Sequence, residues 1–383
     1  MLTPVPKALR VVHLTSVHAR GDTRIFVKQC RTLAEHDYRV ALVVADGKGE
    51  SILDGISITD VGRPEGRVDR MLHTTRKVYR RAVALDGDIY HLHDPELIPV
   101  GLRLKRLGKT VIFDAHEDVP KQLLSKPYLS AGARRVLSLA FSRFERSACA
   151  RLDGIVAATP SIRDKFLLIH PGTVDVNNYP LPSEFDAAAR WVDKAPEVCY
   201  VGGIGATRGI RELLRACALL RTPTRLSLAG NFSETRLEAE MVAEPGWQRV
   251  ERHGHLDRGG VRRVMARAVA GLVTLHPTSN YLESLPVKMF EYMAAGIPVI
   301  ASGFPLWRAI IDGERCGLCV DPLDPQAIAD AIDFLASHPE IAREMGENGR
   351  RAILANYNWA AQAARLIEFY GVLAHAKNLR VAA

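Results

Sequence analysis

Short, continuous apolar runs rich in β-branched residues alternate with amphipathic segments along the chain. In the first half the runs cover residues 10–15, 39–45, 88–92, 110–114 and 155–158. Unbroken rather than alternating hydrophobicity is expected of strands buried on both faces of a parallel sheet. Between the first two runs, Ile25, Val27, Cys30, Leu33 and Ala34 recur at roughly helical spacing within 22–35. That is a βαβ unit, whose crossover should be right-handed. A break follows at 171–196, with four prolines and paired asparagines. The pattern then restarts at 197–201, 225–229, 271–275 and 297–301. The expectation is an α/β protein of two doubly wound parallel-sheet lobes, with ligands held at strand carboxyl ends in the cleft between them. A last helix from about residue 359 carries Ala363, Leu366, Ile367 and Tyr370 on one stripe.

Composition adds boundaries. The 383 residues are 47% hydrophobic and 25% charged, which excludes a mainly disordered or fibrous chain. No apolar stretch reaches the ~18 residues of a spanning helix. Residues 1–16 run directly into a strand-like segment without the pattern of a signal peptide, so a cytoplasmic location is expected. The six cysteines are sparse, and the single CxxC, Cys316 to Cys319, has no second pair. Buried free thiols are therefore expected rather than zinc or disulfides. Charge is uneven: residues 1–170 hold 28 Lys and Arg against 19 Asp and Glu, while the remainder hold 23 against 24. A basic half points to an anionic partner.

The richest chemistry lies in residues 281–302, YLESLPVKMFEYMAAGIPVIAS. Ser284 is placed to cap a helix beginning at about Leu285, with Pro286 in its tolerated first turn. The free backbone N–H groups of such a terminus bind phosphate, and Lys288 adds a full positive charge. Glu291 lies one turn further along the same face, where it would accept hydrogen bonds from vicinal hydroxyls such as a ribose. Glu283 precedes the helix, closer to a sugar attached to the phosphate. An isolated Lys288–Glu291 surface pair is the plainer reading, but the turn and buried strand that follow at once favour a site.

This stretch resembles the Glu-x7-Glu motif of the family-4 retaining glycosyltransferases, which have the two-lobed GT-B fold. The resemblance extends to the Gly-rich segment 200–216 (YVGGIGATRGIRELLRA), to 14–40, to 89–101 (IYHLHDPELIPVG), to 111–120 (VIFDAHEDVP) and to 305–324. It implies a first domain, 1–175, for the acceptor, and a second, 176–358, for the nucleotide-sugar donor. A C-terminal helix, 359–383, would pack back on the first lobe. On the donor side it implies that Glu291 holds the ribose and Glu283 the donor-sugar hydroxyls. Arg208 and Lys288 would clamp the diphosphate beside Ser284, Leu285, Gly202 and Gly203, with Gly254 and His255 near the base. Where the family often has Arg after the first Gly of this loop, this chain has Gly203, and Lys288 or a first-lobe arginine would compensate. Family members retain anomeric configuration without an obligatory metal or cofactor, the leaving phosphate deprotonating the acceptor, so no protein general base is assigned.

In the first lobe the resemblance brings His116 to the sugar and Glu117 and Asp118 to acceptor hydroxyls. Residues 17–24, with His18, Arg20, Gly21 and Asp22, form a loop able to close on the ligand, Gly21 toward the donor and His18 and Asp22 toward the acceptor. The pair His91 and His93 lacks the remaining ligands of an HxHxDH metallohydrolase, so it is expected to line or support the cleft without a metal. The DGD at 86–88 reads as a turn. Residues 63–81 hold seven basic against two acidic side chains, with Val68, Met71, Leu72, Thr75, Val78 and Tyr79 on one helical face. That helix, and a second candidate at 133–151, would suit peripheral contact with the anionic inner face of the cell membrane. Nucleic acid is disfavoured because no stacking aromatics interleave the basic residues. The reading is a retaining transferase moving a sugar from a nucleoside diphosphate to a glycan or lipid-linked acceptor in polysaccharide biosynthesis. A sugar-nucleotide epimerase and a non-catalytic sugar-nucleotide-binding subunit are the alternatives.

Overall fold

The computed structural model describes residues 9–126, 129–185, 191 and 194–381, with side chains to residue 376. The first eight residues, and 186–190 and 192–193 of the expected linker, lie outside the described residues. The chain divides into two compact units, Met1–Asn178 with Ala360–Ala383, and Tyr179–Trp359.

Unit 1 contains an eight-stranded sheet ordered β3-β4-β2-β1-β5-β6-β7-β8. Its strands are β1 Arg10–Leu14, β2 Arg39–Val44, β3 Ser51–Leu53, β4 Ile56–Asp60, β5 Ile89–Leu92, β6 Thr110–Ala115, β7 Gly154–Ala157 and β8 Thr173–Asp175. All pairings are parallel except β3 with β4. The five strands expected from continuous apolar runs are the central ones, where both faces are covered. The strands not expected are the short or alternating ones toward the edges, with residues such as Ile52 at 74% exposure. Asp22 starts the first helical segment, its carboxylate accepting from the N–H groups of Arg24 and Ile25. Wide turns over Thr23–Cys30 then pass into an α-helix, Arg31–Glu35. Asp86 adopts a left-handed conformation and Asp88 accepts from Arg10 N–H, so the DGD is a turn feeding β5.

Unit 2 contains a six-stranded, wholly parallel sheet ordered β11-β10-β9-β12-β13-β14. The strands are β9 Glu197–Val201, β10 Arg225–Ala229, β11 Val250–Gly254, β12 Ala270–Val273, β13 Val299–Ser302 and β14 Gly317–Val320. Only β11 and β14, at the two edges, escape the apolar-run criterion; β11 has no fully buried position and carries Glu251 and Arg252 side by side. Aromatic and sulfur-bearing side chains fill the core behind β9, β12 and β13, with Trp307, Tyr292, Met289 and Cys199 each at 0% exposure. The last helix, Trp359–Val381, buries Leu366 and Tyr370 in unit 1, as its stripe predicts. All six cysteines are free thiols, five of them buried. No described helix is long and apolar enough to cross a membrane.

Candidate functional site

In unit 2 the loop after β9 is shaped by close backbone approach. Gly202 has φ +117°, and a Cβ at Gly230 would sit 1.9 Å from the Gly202 carbonyl oxygen. Gly230 N–H in turn donates to the Gly254 carbonyl at 2.7 Å. The carboxyl ends of β9, β10 and β11 are thus knitted together, with Gly254 in a left-handed turn and His255 exposed just beyond it. The Gly203 carbonyl accepts from the Tyr200 hydroxyl at 2.9 Å and from Arg208 Nη1 at 3.2 Å. A Cβ on Gly203 would lie 3.3 Å from Arg208 Nη1, so the Arg208 guanidinium covers the place where the family's arginine would begin.

Opposite this loop stands the helix Val287–Ala294. The expected start is corrected here: Pro286 is the cap residue, Leu285 lies outside the helix, and Ser284 makes no capping bond. Pro286 has an extended ψ of 121°, which turns the chain before Ser284 could reach the first N–H groups. Ser284 instead donates its hydroxyl to Tyr281 O at 3.0 Å, while its own carbonyl accepts from the Trp307 indole at 2.7 Å.

Lys288 extends from the first turn of that helix to 3.6 Å from the centroid of the Tyr200 ring. Its Nζ is buried and has no hydrogen-bond partner among the described residues. Burial, and then the charge of Arg208, push its pKa down to about 7, against the pull of Glu291. A buried ammonium without a hydrogen-bond partner among the described residues, a nearby guanidinium and the free N–H groups of a helix start together call for a negatively charged ligand. Within unit 2 the structure therefore groups Gly202, Gly203, Arg208, Lys288 and Glu291. Glu291 Oε1 lies 3.5 Å from Arg258 Nη2, and Arg258 also pairs with Glu184. Glu283 is exposed at the end of the short helix Ser279–Leu282. Tyr200, Arg258 and Thr274 escaped the sequence reading. Tyr200 and Arg258 reach the site through the fold, and the buried Thr274 hydroxyl has no partner among the described residues.

In unit 1, His116 follows β6 and puts Nε2 3.0 Å from Asp114 Oδ2. Asp114 is fully buried and grips Arg24 through two bonds of 3.0 and 2.6 Å. Burial raises its pKa, but Arg24, His116 and His93 override this and hold the carboxyl well below its usual range. His18 packs edge-on to His116, ring centroids 5.3 Å apart. It bridges Asp22 at 3.2 Å and Asp94 at 3.5 Å. Those two carboxylates raise its pKa against the opposing effect of burial.

Several expected acceptor ligands have local employment. Asp22 caps a helix and pairs with His18; Asp118 caps the helix Val119–Leu124 and meets Lys165 at 2.9 Å. Glu117 is exposed and accepts from the Gln122 amide. Arg20 is locked onto Asp46 by bonds of 2.8 and 2.7 Å. A Cβ at Gly21 would meet no heavy atom within 4 Å, so nothing in unit 1 demands glycine there. A hollow of about 260 Å³ beside this loop is lined by Ser16, Asp46, Arg63 and Arg70, among others.

Two family descriptions match the chain: "Glycosyltransferase Family 4" over residues 20–176 and "Glycosyl transferases group 1" over 183–352. Alpha-maltose-1-phosphate synthase of Mycolicibacterium smegmatis is 28% identical over 258 residues, 59% of this chain and 65% of that protein. D-inositol 3-phosphate glycosyltransferase of Corynebacterium urealyticum is 30% identical over 186 residues, 46% of this chain and 43% of its own. The chain thus spans less than two thirds of these relatives. Among solved structures, sucrose-phosphate synthase from Thermosynechococcus elongatus superimposes with a TM-score of 0.76 at 20% identity, over 96% of this chain and 100% of that one. Anabaena Alr3699/HepE in complex with UDP-glucose does so with a TM-score of 0.74 at 13% identity, over 95% and 100%. At these identities the structural likenesses speak for the fold.

Proposed function

Because this chain belongs to glycosyltransferase family 4 and folds as the two parallel-sheet lobes of GT-B, we propose that it is a retaining transferase. It moves a sugar from a nucleoside diphosphate to a glycan or lipid-linked acceptor in polysaccharide biosynthesis. The observation that carries this reading is the buried Lys288 ammonium, without a partner among the described residues, beside Arg208 at the start of the helix Val287–Ala294. The departing diphosphate gathers negative charge, and cations already fixed in place stabilise it without reorganisation. In this scheme Lys288 and Arg208 do the work a metal does elsewhere. Glu291, one turn beyond Lys288, exchanges Arg258 for the ribose hydroxyls, and Glu283 orients the donor sugar. Gly254 and His255 border the base, with UDP and GDP both candidates. The leaving phosphate takes the acceptor proton on the same face, so no side chain acts as general base. His116, oriented by Asp114, meets the sugar; Glu117, Asp118, His18 and Asp22 border the acceptor, and Gly21 lets its loop approach the donor.

A cytoplasmic enzyme working against the inner face of the membrane is part of the proposal. Support comes from the helix Ala131–Cys149, which exposes Val136 at 66%, Leu137 at 45% and Leu139 at 54% beside Arg135, Arg143 and Arg146. The 63–81 stripe divides: Thr75 and Val78 are buried, while Val68, Met71 and Leu72 are exposed. Calorimetric titration of UDP, GDP, ADP and TDP into wild type and Glu291→Ala tests the donor reading. One nucleotide should bind and weaken markedly in the variant. Absence of binding by all four, or equal binding by the variant, would count against it. Incubating the donor alone separates transfer from epimerisation, which needs no acceptor.

A further inference from the structure

Strand register assembles three histidines that lie far apart in sequence. His91 and His93 are two residues apart at the end of β5 and so share a face of the sheet. β1 pairs in parallel with β5 so that His13 stands opposite His91. The three rings are 0%, 0% and 2% exposed for His13, His91 and His93. One ligating nitrogen from each lies within 4.8 Å of the others.

The protons on these rings follow from their neighbours. Asp114, held as an anion by Arg24, accepts from His93 Nδ1–H at 3.2 Å. His93 Nε2 then carries a lone pair and meets His13 Nδ1 at 2.8 Å. His91 Nδ1 contacts the Tyr370 hydroxyl at 2.7 Å. That leaves His13 Nε2 and His91 Nε2 buried without hydrogen-bond partners among the described residues. Native interiors rarely leave such atoms unsatisfied, and a bound ion at His91 Nε2, which carries a lone pair when Nδ1–H faces the Tyr370 hydroxyl, is one explanation.

We propose that His13, His91 and His93 form a binding site inside unit 1 for a divalent transition-metal ion of the zinc class. Imidazole nitrogens suit such ions. Moving the His13 proton from Nδ1 to Nε2 turns the 2.8 Å contact into two facing lone pairs without any loss of protons. That spacing is close to the ~3.3 Å between nitrogens on a tetrahedral zinc with bonds of about 2.05 Å. Asp114 on His93 and Tyr370 on His91 are the outer partners that orient ligating histidines. The charge of the ion is carried into a pocket where Arg24 and Asp114 already cancel. The ion ties β1 to β5 at the centre of the sheet. It takes no part in sugar transfer, so the proposal stands apart from the donor-site reading. The earlier expectation of a supporting histidine pair lacked the third ligand, which another strand supplies.

The test uses the full chain, made without a histidine tag in zinc-supplemented medium. Elemental analysis should find about one zinc per chain after gel filtration. Growth with cobalt in place of zinc should give the visible d–d absorption of an imidazole-bound Co2+. Both signals should fall to background in His91→Phe with its circular dichroism unchanged. An anomalous difference map at the zinc edge should peak among the three rings, and this wild-type measurement decides the matter if His91→Phe fails to fold. Background zinc in the wild type, an anomalous peak elsewhere, or undiminished metal in folded His91→Phe would each overturn the proposal.

Discussion

The buried ammonium of Lys288 makes donor binding a proton-uptake reaction. In the free protein its pKa stands at about 7, lowered first by burial and then by Arg208. A diphosphate placed against Nζ supplies the missing counter-charge and returns the group toward its ordinary ~10.4. The bound pKa then lies above the free one, so affinity is greatest below pH 7 and falls as pH rises through it. Near pH 8 about nine-tenths of the free protein has lost this proton, so binding takes up ~0.9 proton per ligand, against ~0.1 near pH 6. Apparent affinity should drop roughly tenfold across that interval, about 1.4 kcal/mol. The assay is isothermal titration of a nucleoside-diphosphate sugar, whose diphosphate does not titrate near neutrality, in buffers of different ionisation enthalpy. The slope of observed heat against buffer enthalpy gives the proton count directly. Lys288→Met should bind weakly and lose the slope. Zero uptake near pH 8, or an unchanged slope in Lys288→Met, would refute the reasoning. The same shift carries a stability consequence of opposite sense. The unfolded chain holds this proton up to ~10.4 while the folded one releases it near 7, so wild-type stability rises with pH between the two. Free Lys288→Met should lack that rise.

Gly209→Ala should cost far more than Gly296→Ala, although both glycines have positive φ, 79° and 69°. A Cβ at Gly209 would sit 2.0 Å from the Thr274 carbonyl oxygen, whereas one at Gly296 meets nothing within 4 Å. Urea denaturation should give about 1 kcal/mol for Gly296→Ala, the backbone strain alone, and ~3 kcal/mol or more for Gly209→Ala, with weakened nucleotide binding because Arg208 is displaced. Equal costs would contradict the steric account. For the membrane contact, co-sedimentation with anionic phospholipid vesicles should be strong at low salt and weaken about tenfold when Leu137 and Leu139 both become Glu. Retention by that double variant, or binding insensitive to salt in either protein, would count against the helix Ala131–Cys149 as the docking surface.

Much of the donor side is legible in the chain because its determinants are local. Lys288 and Glu291 share a helix face through their spacing, and Gly202 and Gly203 follow directly on the apolar run of β9. The central strands of both sheets are visible because burial on two faces leaves an unbroken apolar run. Edge strand β3 is hidden because it is only three residues long, and β11 because partial exposure lets it carry charged residues. Ser284 had the composition of a cap without its geometry, since the ψ of Pro286 decides where the helix begins.

Other features belong to tertiary structure alone. Local sequence puts Lys288 on a helix. Only the packing of Tyr200 from β9 beneath it and Arg208 beside it strips its water and lowers its pKa. Arg258 reaches Glu291 from another helix. Asp114, read as part of a strand, becomes the buried anion shared by Arg24, His93 and His116 once β1, β5 and β6 pair. His13 joins His91 by parallel register, a relation between residues 78 positions apart that periodicity along either strand cannot express. The sequence by itself determined the two α/β halves and the side chains of the donor helix, because hydrophobic period and helical spacing act over a few residues. Tertiary structure decided which charges lose their water and which rings meet, because desolvation and cross-strand contact depend on segments that are neighbours only in space.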